Sequence, residues 1–163
     1  MKFLINFLLI ALFPFVIKQG DTGIAEDNKV YCNARYDFCI EYPEKYFSAA
    51  VEADNGDGIT LPTFDGAGKV AVFGSFNVMN WSLEDIYYFN FEAAVRENPE
   101  VKTVESHLDG DQGDVTMQVG NETRFFRIWR LKDTYVTMEI DVDNGREALL
   151  EDLKKSVVFH RNS

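Results

Sequence analysis

The chain has 163 residues, of which 46% are apolar and 26% charged, and a formal net charge of −11 at neutral pH. This length favours one domain, and the composition is that of an ordinary globular protein. The acidic balance repels polyphosphate and anionic lipid, so we expect neither a nucleic-acid partner nor an anionic membrane surface.

An apolar segment opens the chain. Residues 3–17 are almost continuously apolar, and Gly23 and Ala25 have the small side chains of a cleavage site. The run is short for a membrane span, which needs roughly 20 residues, and it is typical of a signal peptide. We predict a signal peptide over 1–25 and a single domain over 26–163. An uncleaved N-terminal anchor is the alternative.

Cleavage after Ala25 makes the chain more acidic. Removing Lys2, Lys18 and Asp21 from the 16 basic and 27 acidic residues leaves 14 and 26, a net charge of −12. Such a charge suits a cationic partner, a divalent metal or simple solubility, and solubility is the commonest reason for it.

Two cysteines, Cys32 and Cys39, follow this segment. An even number of cysteines in an exported chain predicts pairing. Residues 29–32 and 38–42 predict two short strands with a tight turn, which would bring the Cα atoms within a bridging range of ~4.4–6.8 Å. The spacing is not Cys-x-x-Cys and argues against a redox-active role. We predict a disulfide that staples a hairpin, in a periplasmic or extracellular protein.

The pattern after this hairpin has mostly a period of two. Further strands are predicted at 47–52, 59–61 and 70–78, separated by Asp-, Asn- and Gly-rich turns at 54–58 and 65–68. In the strand at 70–78, the side chains of Phe76 and Val78 are predicted to lie on a covered face of the sheet. The period then changes, because Ser82 and Asp85 have the spacing of a capping box and a helical stripe follows as far as Asn98.

Four strands and a second helix complete the pattern. The strands are predicted at 104–108, 115–119, 125–131 and 136–142, with Thr137, Glu139 and Asp141 outside. Asn144 is predicted to cap a helix that buries Leu149, Leu150 and Leu153, before a closing strand at 157–159. Consecutive strands joined by short turns are antiparallel. The sequence therefore predicts an α+β fold, with an antiparallel sheet of about six to seven strands flanked by helices.

The first hairpin also carries a family resemblance. Tyr36, Phe38, Ile40, Tyr42 and Pro43 form the pattern aromatic-x-Phe-x-Ile-x-Tyr-Pro. With the turn 55–58 and the segment 81–85, it resembles a group of bacterial exported proteins, mostly uncharacterised, and the first hairpin of the PsbP/Mog1-like superfamily. The resemblance implies an antiparallel sheet flanked by helices. It also implies a mostly non-catalytic role in assembly or protein binding, and it supplies no catalytic residues.

Catalytic and cofactor signals are weak. The two histidines, His107 and His160, are too few for a zinc site once both cysteines are paired. No glycine-rich phosphate loop and no Gly-x-Ser-x-Gly elbow occurs in the sequence. We predict no catalytic residue and no cofactor. The weak calcium candidates are Asp54, Asp57, Asp109 and Asp111, which turn formation explains better.

The aromatic residues Trp81, Tyr88 and Phe89 exceed what one helix stripe needs, so they form a candidate partner patch if they do not cover the sheet edge. Arginines at 124–130 are predicted to pair across strands with Glu139 or Asp141.

We predict an exported, non-catalytic binding or assembly-assisting protein of undetermined oligomeric state. The alternatives are a calcium- or carboxylate-dependent hydrolase, and a toxin-neutralising inhibitor that uses its acidic surface.

Overall fold

The computed structural model describes residues 27–161, the side chain of Val104 excepted, so the predicted leader over 1–25 lies outside the described residues. In this part of the chain neither helix is long and apolar enough to cross a membrane. The elements are β1 (Asn28–Asn33), β2 (Phe38–Pro43), a 3-10 turn (Glu44–Tyr46), β3 (Val51–Glu52), β4 (Gly58–Pro62), β5 (Gly68–Phe76), α1 (Leu83–Glu97), β6 (Lys102–Asp109), β7 (Gln112–Val119), β8 (Glu122–Arg130), β9 (Thr134–Asp143), α2 (Glu147–Ser156) and β10 (Val158–Arg161).

Seven of the described strands form one antiparallel sheet in the order β3-β4-β5-β9-β8-β7-β6. The strands β6 to β9 follow one another as a meander, because each pairs with its neighbour in sequence. β9 then pairs with β5 along the whole length of β5, which makes β9 the central strand. The predicted α+β fold with an antiparallel sheet is confirmed.

A separate three-stranded sheet has the order β1-β2-β10 and joins the two ends of the described chain. In its first hairpin Cys32 lies directly opposite Cys39, with a Cα–Cα distance of 4.0 Å, and the pair is compatible with the predicted disulfide. This distance is slightly below the predicted range of ~4.4–6.8 Å.

Apolar side chains cover both faces of the large sheet. One face packs against the three-stranded sheet and α2, and its fully buried side chains include Phe38, Ile40, Val70, Val72, Val136, Met138, Ile140 and Leu153. The helix α1 covers part of the other face with Leu83, Ile86 and Ala94, against β7 and β8. Burial of one such large side chain contributes roughly 1.5–3 kcal/mol, which fixes both helices on the sheet.

The helix α1 begins as predicted. The Ser82 hydroxyl accepts a hydrogen bond from the Asp85 N–H at 3.2 Å, and the Asp85 carboxylate accepts one from the Ser82 N–H at 2.9 Å. These reciprocal bonds satisfy two N–H groups that have no partner inside the helix. The helix ends at Glu97, before Asn98 and Pro99, as predicted.

The predicted cap of the second helix is wrong. α2 has Arg146 rather than Asn144 as its N-cap, with no side-chain hydrogen bond. The Asn144 side-chain oxygen instead accepts hydrogen bonds from Gln118 at 2.9 Å and Thr123 at 3.2 Å. Gly145 has a φ of 86°, a left-handed conformation that a helix cannot contain, so the helix begins after it.

Two predictions about strand faces are also wrong. Phe76 and Val78 are 48% and 84% exposed, because β5 ends at Phe76 and the chain then leaves the sheet. Thr137 and Asp141 were predicted outside and are buried, and Glu139 is half-buried. The reason is the position of β9, since a central strand has neighbours on both sides and covering side chains on both faces.

Candidate interaction surface

The loop between β5 and α1 is held by hydrogen bonds at both ends. The buried Asn77 side chain donates to the Trp81 carbonyl at 3.0 Å and accepts from the Trp81 N–H at 2.7 Å. Arg130 donates to the same carbonyl at 3.0 Å, and the Asn77 N–H donates to the Asp133 carbonyl at 2.9 Å. Asn80 has a φ of 50°, which asparagine tolerates better than most residues. These hydrogen bonds fix both ends of the loop.

Apolar side chains on and beside this loop face the solvent. Val78 and Met79 on the loop are 84% and 68% exposed. On α1 the ring of Phe89 lies 5.2 Å from that of Trp81. We call the following six residues the apolar surface: Phe76, Val78, Met79, Trp81, Tyr88 and Phe89. Exposed large apolar side chains on neighbouring segments of a chain are typical of an interaction site in a monomeric protein.

The structure brings two of the three predicted patch residues into direct contact. Trp81 and Phe89 pack together, whereas Tyr88 contacts the ring of Tyr87 at 5.3 Å. Sequence analysis did not single out Met79 and assigned Val78 to a covered strand. A signal was present, because Val78 and Met79 lie between two asparagines just before a helix cap, where a loop is favoured over a strand.

Acidic side chains border the part of the apolar surface that lies on α1. Residues three and four apart lie on the same side of a helix. Glu84 and Glu92 therefore flank Tyr88. Asp85 and Glu92 flank Phe89 in the same way. The side chains of all three acidic residues are exposed. The surface thus combines an apolar centre with a negative border, which disfavours pairing with a second acidic copy.

A buried charge cluster lies on the same face of the sheet, at the C-terminal end of α1. The Arg124 guanidinium is 2.9 Å from Asp141, 3.1 Å from Glu139 and 3.2 Å from Glu97, and Lys69 is 3.1 Å from Asp141. Burial and the nearby charge of Asp141 raise the pKa of Glu139 to about 7. The predicted pairing of a β8 arginine with these carboxylates is confirmed. The cluster joins the helix to three strands.

The calcium candidates lie on two separate hairpin turns. Asp54 and Asp57 belong to the turn before β4. Asp109 is the last residue of β6, and Asp111 lies in the turn between β6 and β7. The Asp57 carboxylate accepts a hydrogen bond from the Tyr36 hydroxyl at 2.7 Å, so it fastens the first hairpin to this turn. With the Cys32–Cys39 disulfide formed, no three His, Cys, Asp or Glu side chains among residues 27–161 are grouped so that they could hold a metal ion.

A polar cleft of about 510 Å³ lies between β6, β7, β8 and α2, and His107 lines it. Two ion pairs lie in its lining. Arg127 makes two hydrogen bonds to the Asp114 carboxylate, at 2.8 and 2.7 Å, and Lys154 is 2.7 Å from Glu151. These contacts link the strands to each other and one turn of α2 to the next.

Comparison with known proteins identifies the fold. No protein-family model and no curated protein sequence matches this chain. Among solved structures, cyanobacterial PsbP (CyanoP) of Synechocystis sp. PCC 6803 is similar, with a TM-score of 0.60 and 14% identity over 87% of this chain and 96% of that one. The Ran-binding protein Mog1p of Saccharomyces cerevisiae gives a TM-score of 0.58 and 13% identity, over 85% of this chain and 97% of that one.

The fold is PsbP/Mog1-like. The fold that the first hairpin implied is therefore confirmed, since both similar structures span most of this chain. At such low identity the similarity concerns the path of the backbone. A PsbP/Mog1-like fold places no particular side chain in a site, so the functional residues follow from this chain's own surface.

Proposed function

We propose that this chain is an exported, non-catalytic protein that binds another protein through the apolar surface. The observation that carries the proposal is the exposure of Val78 and Met79 on a loop held by hydrogen bonds. Exposed apolar groups on a fixed loop bind with a smaller loss of conformational entropy than groups on a loop that must first become ordered.

The fold and the cysteines support the proposal in general terms. The similar yeast protein is described as Ran-binding, so at least one chain with this fold binds a protein. The paired Cys32 and Cys39, together with the apolar segment 3–17, support export to the periplasm or the outside of the cell. The hydrolase alternative has less support, because its candidate carboxylates lie on two different turns.

The test is the exchange of one side chain of the apolar surface for a charge. We expect Met79→Asp to reduce capture of the partner from the envelope fraction by at least about tenfold, because a buried charge at the centre of an interface costs well over 1.4 kcal/mol. The measurement is quantitative mass spectrometry of proteins that co-purify with the tagged chain.

Phe64→Asp is the matched control. Phe64 is 67% exposed and lies near the start of β5, whereas the apolar surface begins at the end of β5. A nine-residue strand is about 30 Å long, so Phe64 is distant from the apolar surface. We expect this variant to capture the partner within about twofold of the unmodified chain. If both variants, equally folded by circular dichroism, capture the same proteins in the same amounts, the apolar surface is not the binding site.

A further inference from the structure

Three residues with metal-binding side chains form one row across the three-stranded sheet. Cys32 of β1 lies opposite Cys39 of β2, and His160 of β10 lies opposite Cys39 on its other side. Glu41 follows Cys39 by two residues, and its carboxylate is 3.7 Å from the His160 Nε2 atom. Residues opposite each other, and residues two apart on one strand, share a face of a sheet, so the four side chains lie on the same face.

This face of the sheet is turned toward solvent. Cys32 and His160 are exposed, and Cys39 and Glu41 are half-buried. The neighbouring Phe38 and Ile40, which point to the other face, are fully buried in the core. A metal ion can therefore reach the row without any change in the core.

We propose that reduction of the Cys32–Cys39 disulfide converts this row into a zinc site. A dithiol supplies two electrons and two protons and becomes a disulfide, while the Cys32–Cys39 S–S bond breaks to give two thiols. A phosphine achieves the same reduction with one water molecule, which supplies the two protons and the oxygen of the phosphine oxide. Zinc then displaces both thiol protons. Two cysteine sulfurs, a histidine nitrogen and the Glu41 oxygen are ligands that zinc accepts in tetrahedral geometry.

The hairpin keeps the two sulfurs adjacent after the bond opens. β2 is paired with β10 as well as with β1, and its inner side chains belong to the main core, so the strand remains in place without the disulfide. The Cα atoms of Cys32 and Cys39 are 4.0 Å apart, which allows both thiolates to bind one ion. The disulfide and the zinc site are thus mutually exclusive states of one cysteine pair, independent of partner binding at the apolar surface.

The experiment compares the purified chain in its two redox states. After reduction with tris(2-carboxyethyl)phosphine and anaerobic removal of the reductant, the chain is titrated with Co²⁺ and then with Zn²⁺. We expect a thiolate-to-cobalt charge-transfer band that saturates at about one equivalent and is removed by Zn²⁺, because cobalt takes the same ligands as zinc. The oxidised chain is expected to give no band.

The two histidines of the chain provide a matched pair of variants. His160→Ala is expected to lower zinc affinity, measured by competition with a chromophoric chelator, by at least about tenfold, and His107→Ala to leave it within about twofold. Circular dichroism of the reduced chain verifies the fold. Absence of the charge-transfer band, loss of the fold on reduction, or equal effects of the two histidine variants would each overturn the proposal.

Discussion

Glu139 lies beside Arg124 and Asp141, and its surroundings change its ionisation. Burial and the charge of Asp141 raise its pKa from 4.5 to about 7. Between these pH values the folded chain holds a proton that the unfolded chain has released, so this carboxyl makes the fold progressively less stable as pH rises from 4.5 to about 7.

Replacement of this carboxyl by an amide should remove most of that pH dependence. Between pH 4.5 and 8 the unfolding free energy of the unmodified chain is expected to fall by about 3 kcal/mol more than that of Glu139→Gln. Urea unfolding at several pH values measures the difference. Glu122→Gln is the control, since Glu122 is also near Arg124, at 3.6 Å, but is 48% exposed. Parallel pH profiles for the Glu139→Gln variant and the unmodified chain would contradict the prediction.

Gly74 allows close contact between the first hairpin and β5. A Cβ atom at this position would lie 2.3 Å from the ring of Tyr36, which is buried and bonded through its hydroxyl to Asp57. The ring therefore cannot move away without loss of that hydrogen bond. The close approach fixes the tip of the three-stranded sheet on the large sheet.

Gly74→Ala is accordingly expected to destabilise the fold by about 1–3 kcal/mol, the usual cost of overpacking. Denaturant unfolding measures the change. In a double-mutant cycle, Gly74→Ala should cost less than about 0.5 kcal/mol when Tyr36 is already alanine, because the clash is then absent. Equal costs in both backgrounds would show that the effect comes from the backbone and not from this contact.

At the scale of elements, the hairpin β1–β2 is the part that the cysteine pair constrains. The cysteines are seven residues apart, and closure of so small a loop removes only limited entropy from the unfolded chain. The hairpin is also held by β10 and by its buried face. We therefore expect the disulfide to add to the stability of the element without being necessary for it.

Replacement of both cysteines by serine should lower the unfolding free energy by about 2.5 kcal/mol and leave the fold intact. Thermal and urea unfolding of Cys32→Ser/Cys39→Ser, against the oxidised chain, measure this loss. A reduced but unmodified chain is the control for the change of sulfur to oxygen. A variant that does not fold at all would mean that the hairpin depends on the bond.

At the scale of the whole molecule, the net charge of −11 and the apolar surface predict opposite responses to salt. Binding that an acidic surface drives is screened within a Debye length of about 10 Å at 0.1 M salt, whereas apolar contact is not. The response to salt therefore separates the proposed function from the alternative of an inhibitor that docks a basic target.

For binding through the apolar surface, we expect the partner's Kd to change by less than about threefold between 0.05 and 0.5 M sodium chloride. Titration calorimetry or surface plasmon resonance with the captured partner measures it. The Phe64→Asp variant, which adds a negative charge elsewhere, should follow the same curve. A loss of affinity of a hundredfold or more with salt would instead favour the acidic inhibitor.

Local patterns in the sequence predicted the elements that depend on neighbouring residues. The capping box at Ser82 and Asp85, the hairpin around Cys32 and Cys39, and the stop at Asn98 all rest on contacts within a few positions. The candidate site was predicted only in part. Trp81 and Phe89 were singled out because aromatic excess is visible in a sequence, whereas Val78 was assigned to a strand and Met79 was not singled out.

The amino-acid sequence by itself determined the α+β class, the antiparallel pairing and the position of α1, because periodicity and turn residues are local properties. Only the tertiary structure decided that β9 is central, that Thr137 and Asp141 are buried, and that β10 brings His160 beside Cys39. These features depend on which distant strands become neighbours. That choice follows from the burial of the whole core and has no signal at any single position.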